Sequence, residues 1–311
     1  MKDDEDRTAS LMTPAKLAQV ANRPKAQVSP AAWLDKMATD AGHPHVRRLA
    51  ELRADLQVQA TKRDLTALVK DLEGVSSSLP QLDFGLLQQK AGFLSRLSGK
   101  NKSAVAEFAG QFDAIEEALQ QLAKQAKALQ ARQAEQAGGV DKTLLEFEVE
   151  FRALEKIIDQ GARWLQDMRT QLKSREADAA DDAAREQVRQ EGQRCELLVA
   201  RLKLLRTLST AAHESHQQAQ AAMGRRAGIV QSLQGPLASR VKDWRSRITP
   251  LANAARDGES PGLSLEGPMD CHRDLQLCVK DASGDCAQLQ SHEQALAQSL
   301  DALGPHLQAA G

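Results

Sequence analysis

The stretch that decides the fold is Ser103–Gln136, SAVAEFAGQFDAIEEALQQLAKQAKALQARQAEQ. Val105, Phe108, Phe112, Ile115, Leu119, Leu122, Ala126 and Leu129 succeed one another at steps of 3, 4, 3, 4, 3, 4 and 3. Seven residues make two helical turns, so this spacing lays every apolar side chain on one stripe that another helix must cover. A helix over the whole stretch is roughly 50 Å long at the standard rise. Gly138 and Gly139 are predicted to end it, as glycines past a helix C-terminus do. Asp141 is placed to cap a second helix, whose seam of Leu144, Phe147, Phe151, Leu154, Ile158, Gly161, Leu165, Met168 and Leu172 again alternates steps of 3 and 4. Two such helices joined by a tight turn predict an antiparallel hairpin, with Gly161 allowing a close approach beneath a large side chain of the partner helix.

Working outward, the upstream sequence reads as shorter helices. Residues 1–30 are charged, poor in apolar residues and punctuated by Pro14, Pro24 and Pro30, which predicts a disordered tail with at most a short helix near Leu17–Ala21. Within 31–97, helical patterns cover 31–37, 45–59, 61–72 and 82–97, separated by the loop GVSSSLP at 74–80. The break SGKNKS at 98–103 supplies Ser103 as an N-cap. Downstream, residues 174–187 lack a stripe and predict a short break. Cys195, Leu198, Leu202 and Leu205 resume the heptad, with Leu197, Leu204 and Leu208 widening it. Gly235-Pro236 predicts a kink or break. The core bundle therefore spans 98–257, and a C-terminal helical hairpin turning near Gly284 and stopping at Gly304-Pro305 fills 258–311. The fold class is all-α, an elongated bundle of long antiparallel coiled-coil-like helices.

Composition agrees with helices and excludes several functions. Aromatic residues make up 3% of the 311 and tyrosine is absent, while Ala, Leu, Gln, Glu, Lys and Arg dominate. The formal net charge of −1 leaves no global positive field for nucleic acid. No run approaches the roughly 20 apolar residues of a membrane helix, and MKDDEDRTAS is acidic with no apolar stretch behind it, so the expected location is the cytoplasm. No nucleotide-binding glycine loop and no G-x-S-x-G is present, and no catalytic residue, cofactor or metal is expected.

Three constellations carry some chemical promise. Arg225, Arg226, Arg240, Lys242, Arg245 and Arg247, with Trp244 among them, form a candidate anion- or partner-binding face. The bland alternative is a solvated helix flank with Trp244 in the core. Cys278 and Cys286 are candidate redox thiols if they face each other across a turn near Gly284; otherwise the cysteines, including Cys271, are small buried hydrophobes. His213 and His216 in HESH are three apart, where a zinc helix needs four, so they read as a groove or surface pair.

From about Leu144 to Leu251 the chain resembles the TelA family of toxic anion (tellurite) resistance proteins. The resemblance rests on FRALEKIIDQGARWLQDMRTQL, on RCELLVARLKLLRTL leading into HESHQQAQ, and on VQSLQGPLASRVKDWRSRI. It departs from the family pattern in the approach to Trp244, which reads RVKDW. The resemblance implies a bacterial, all-helical, non-enzymatic protein of stress tolerance that acts through protein partners or self-association. A structural coiled-coil scaffold and a thiol- or metal-dependent detoxifying protein are the alternatives.

Overall fold

A computed structural model describes residues 30–61, 63–88, 100–257 and 264–311, and every regular element in them is helical. The helices are α1 (Pro30–Asp40), α2 (His43–Thr61), α3 (Thr66–Ser78), the short α4 (Gly85–Gln88), α5 (Lys100–Asp178), α6 (Asp182–Ser232), α7 (Ala238–Arg256) and α8 (Glu266–Ala310). The expected tail over 1–29, the end of the helix at 82–97, the start of the break at 98–103 and most of the linker after 257 lie outside the described residues.

The central hairpin is not formed. Helix α5 runs without interruption through Gly138 and Gly139 for 79 residues. The reason lies in how the two seams join. Between Leu129 and Leu144 the stripe continues through Gln133, Gln136 and Val140, at steps of 4, 3, 4 and 4, with both glutamines half-buried and Val140 buried. The stripe continues with a one-residue slip at Val140–Leu144, and two of its positions are polar and do not announce themselves as core. A C-terminal glycine acts by taking a positive φ, and among the described glycines only Gly42 does so, at 75°. Gly138 and Gly139 sit on the open face, where an added Cβ meets nothing within 4 Å. They cost the helix roughly 1 kcal/mol each relative to alanine, which the seams on either side outweigh.

The C-terminal hairpin is likewise one helix. α8 spans 45 residues through Gly284 and through Gly304-Pro305. Pro305 removes the N–H that would reach the Asp301 carbonyl, and one residue earlier Arg53 donates to the Leu300 carbonyl. Gly235-Pro236 is accommodated by a π turn over Leu233–Leu237. Residues 74–80 are no loop either: α3 reaches Ser78 and passes into a 3₁₀ turn, Leu79–Gln81. Ser103 is not the cap of α5, which begins three residues earlier. The break within 174–187 does exist, over residues 179–181, and Asp181 caps α6 by accepting from the Ala184 N–H at 2.7 Å.

The chain divides into two compact units. One comprises α1 to Ala41 with Ile157–Lys203. In it Leu202 lies against Gly161, where a Cβ would sit 2.8 Å from the leucine methyl, so Gly161 does permit a close approach, but to α6 and not to a hairpin partner. Arg201 donates twice to the Ala41 carbonyl, and Arg175 grips Glu191 with both ends of its guanidinium. The second unit, Gly42–Lys156 with Leu204–Gly311, is an up-and-down bundle. The antiparallel order shows in its cross-links: Arg245 to Glu116 and Arg256 to Asp113 tie α7 to α5, while Arg226 to Glu293 and Arg240 to Asp274 tie α6 and α7 to α8. Helices α2 and then α3 share the fourth position. Arg48 on α2 bonds Glu146 on α5, and Gln57 on α2 bonds Asp301 on α8. The apolar core around Trp244 is built from α3, the start of α5, α7 and the first half of α8.

Candidate functional site

The predicted basic face is taken apart by the packing. Trp244 points inward, fully buried, and stacks on Phe112 at 5.2 Å between ring centroids. Arg226 pairs with Glu293, Arg240 with Asp274 and Arg245 with Glu116, so three of the cations are answered by carboxylates on two different helices. Arg225, Lys242 and Arg247 remain exposed but are dispersed along two helices. No single anion- or partner-binding face results. Six basic residues within 23 positions cover several helix faces, and sequence proximity does not place them together.

Trp244 has a structural partner that the spacing did not show. Its indole N–H donates to His272 Nδ1 at 3.0 Å, and His272 Nε2 lies 3.0 Å from the Leu79 carbonyl. An indole N–H can only donate and a carbonyl can only accept, so the imidazole is neutral with its proton on Nε2. Burial pushes His272 below the usual histidine range, against a smaller opposing effect of the Leu79 hydrogen bond. The ring thus links α7, α8 and the 3₁₀ turn, and every polar atom involved is satisfied.

The cysteines are placed as core residues. Cys278 and Cys286 do not face each other across a turn, because both lie on α8, eight residues and about 12 Å of helix rise apart. Burial pushes the Cys286 thiol up to about 11, and those of Cys195, Cys271 and Cys278 upward too. His216 is buried with its ring edge-on to Phe151, and burial holds it below the ordinary range. His213 packs on the same ring. Among the described residues no group of three or more His, Cys, Asp or Glu could hold a metal ion.

One site keeps an unanswered charge. Where the fourth position of the bundle passes from α2 to α3, Arg63 turns inward over a cavity of about 80 Å³. Its walls are Leu65, Leu129, Ala137, Val140, Met223 and Leu289, and its polar lining is Arg63, Asp64, Arg132, Gln133, Gln136 and Arg226. Arg63 Nε and Nη2 are buried and have no hydrogen-bond partner, and no carboxylate among the described residues lies within ion-pair distance of it. Glu293 is near enough to be felt, but it is held by Arg226. Asp64 is committed to Thr66, accepting from its N–H at 2.8 Å and from its hydroxyl at 2.5 Å. Burial, with Arg226 adding repulsion, pulls Arg63 down to about 10, so it stays charged at neutral pH. The carbonyl oxygen of the Gln133 amide in the cavity lining is also buried without a partner.

Sequence reasoning missed this layer; the signal that could have found it is the pair of glutamines at 133 and 136, which continue the seam between two apolar runs. Arg63 carried no such signal. No helix among the described residues is long and apolar enough to cross a membrane. No family model matches the chain, and no curated protein or solved structure is significantly similar to it.

Proposed function

We propose that this chain is a non-enzymatic helical protein that acts by binding, in the bacterial stress tolerance that its likeness to toxic anion resistance proteins implies. The observation that supports binding over a purely structural role is Arg63. Two guanidinium N–H groups taken from water without an acceptor are a net cost, and a scaffold gains nothing from it. Polar groups left open inside a bundle are expected where something else completes them. Deletion of the gene, followed by complementation, tests the reading. The wild-type chain restores tolerance to tellurite and envelope stress, and the Arg63→Met chain does not. A deletion strain with undiminished tolerance would sink the physiological assignment.

A second reading, self-association as a scaffold, is favoured by a separate feature. Leu145 and Val149 lie one turn apart on α5 and are 65% and 58% exposed. Light scattering on the full chain decides it. The mass of two chains, falling to that of one in Leu145→Glu, supports the scaffold. A single-chain mass in both leaves this face to a different partner.

A further inference from the structure

We infer that the Arg63 cavity takes a small monocarboxylate, its carboxylate on the Arg63 guanidinium and its short hydrocarbon tail against Leu65, Leu129, Val140, Met223 and Leu289. This rests on the reading of that layer as a binding site and names what it binds.

Charge comes first. Of the ionised groups around the cavity, Arg226 is held by Glu293 and Asp64 by Thr66, whereas Arg63 feels Glu293 only at a distance and has no carboxylate among the described residues within ion-pair reach. Arg132 is half-buried at the edge, makes a 3.4 Å contact to the Ala128 carbonyl of its own helix and lies within electrostatic reach of Asp64. The vacancy is thus for one negative charge. Geometry comes second. A guanidinium offers donors in a planar fork that matches the two oxygens of a carboxylate. A tetrahedral oxyanion such as phosphate or sulfate carries oxygens in all directions and would turn some of them onto leucine, valine and methionine side chains. A carboxylate presents oxygens on one side and carbon on the other, as the cavity presents its donors and its apolar wall. Size comes last. A cavity of about 150 Å³ accepts a benzene ring, so the ≈ 80 Å³ here suits a tail of a few carbons.

The test is calorimetric titration of the full chain at constant ionic strength with acetate, butyrate, sodium phosphate and sodium sulfate. One saturable site for butyrate is expected. Each buried methylene contributes roughly fourfold, so butyrate should bind at least ~10-fold tighter than acetate. Arg63→Gln should weaken butyrate at least ~10-fold, and Arg63→Lys, which keeps the charge but not the fork, by less. Met223→Trp, which fills the cavity and leaves the guanidinium in place, should abolish butyrate binding. If phosphate or sulfate binds as tightly as butyrate in an Arg63-dependent way, the carboxylate assignment is overturned while the binding reading stands. If none of the four ions binds, or butyrate binding is indifferent to Arg63→Gln, both are overturned.

Discussion

Among the buried polar side chains of the bundle of residues 42–156 and 204–311, those around Trp244 and those around Arg63 are built differently. Around Trp244 each polar atom is spent on a neighbour: the indole N–H on His272, the imidazole N–H on the Leu79 carbonyl. Around Arg63 the hydrogen bonding stops short, with two guanidinium nitrogens and the oxygen of Gln133 left over. Both lie among leucines of the same bundle, so burial alone does not separate a structural polar group from a binding one. Satisfaction does. A closed network holds helices in register, whereas an open one stores a cost that only a further molecule can relieve.

Breaking the closed network should give the largest effect. His272→Leu leaves the Trp244 N–H and the Leu79 carbonyl without partners in the core. The expected loss is about 3 kcal/mol in urea unfolding; a loss below about 1 kcal/mol would show that the network is not holding α7 to α8.

The open layer should respond in the opposite direction. Arg63→Met replaces an unanswered buried cation with an apolar chain of similar reach, and the unliganded protein should gain about 1–2 kcal/mol. A loss instead would mean that Arg63 is as closed as His272.

The helix beneath the open layer offers the next comparison. Gly138 and Gly139 lie beside the cavity-lining Gln136, Ala137 and Val140, in a continuous helix with free space at each Cβ. Alanine at either position should stabilise by about 0.5–1 kcal/mol, whereas a glycine turn there would make the same change costly. The identical exchange at Gly42 should destabilise, since φ is 75° and a Cβ would sit 2.7 Å from Leu154.

Acid should distinguish the two regions most gently. The folded state holds His272 and His216 below the ordinary histidine range, chiefly by burial. The unfolded chain therefore takes up protons first as pH falls below about 6.5, and stability declines from there until the folded-state values are passed. His272 is faced by Trp244, Phe84, Gln276 and the Leu79 carbonyl, and His216 by Glu148, His213 and Phe151. Chemical denaturation between pH 7 and 5 should show this slope, reduced in His272→Leu. Arg63, near 10, contributes nothing to it.

Much of the helical core was legible because its stripe residues are apolar. Val105 through Leu122 and Leu144 through Leu154 are buried as their spacing requires. The joins were not legible. Gly138-Gly139, Gly284 and Gly304-Pro305 all resemble helix ends by residue type, yet only a positive φ or a lost packing surface ends a helix, and the spacing shows neither. The basic cluster failed for a related reason: a local run of arginines says nothing about which carboxylates of distant helices will meet them.

The sequence by itself determined that this chain is helical, where its stripes lie, and that Gly161 leaves room in its seam for a large side chain. These follow from period and propensity, which act within a few turns of chain. Tertiary structure alone decided that α5 and α8 run unbroken, that Trp244 closes on His272, and that two guanidinium nitrogens of Arg63 are buried without an acceptor. Each of these depends on side chains brought together from residues 63 to 293, and the electrostatics of a buried charge are set by what surrounds it in space, not by its neighbours in the chain.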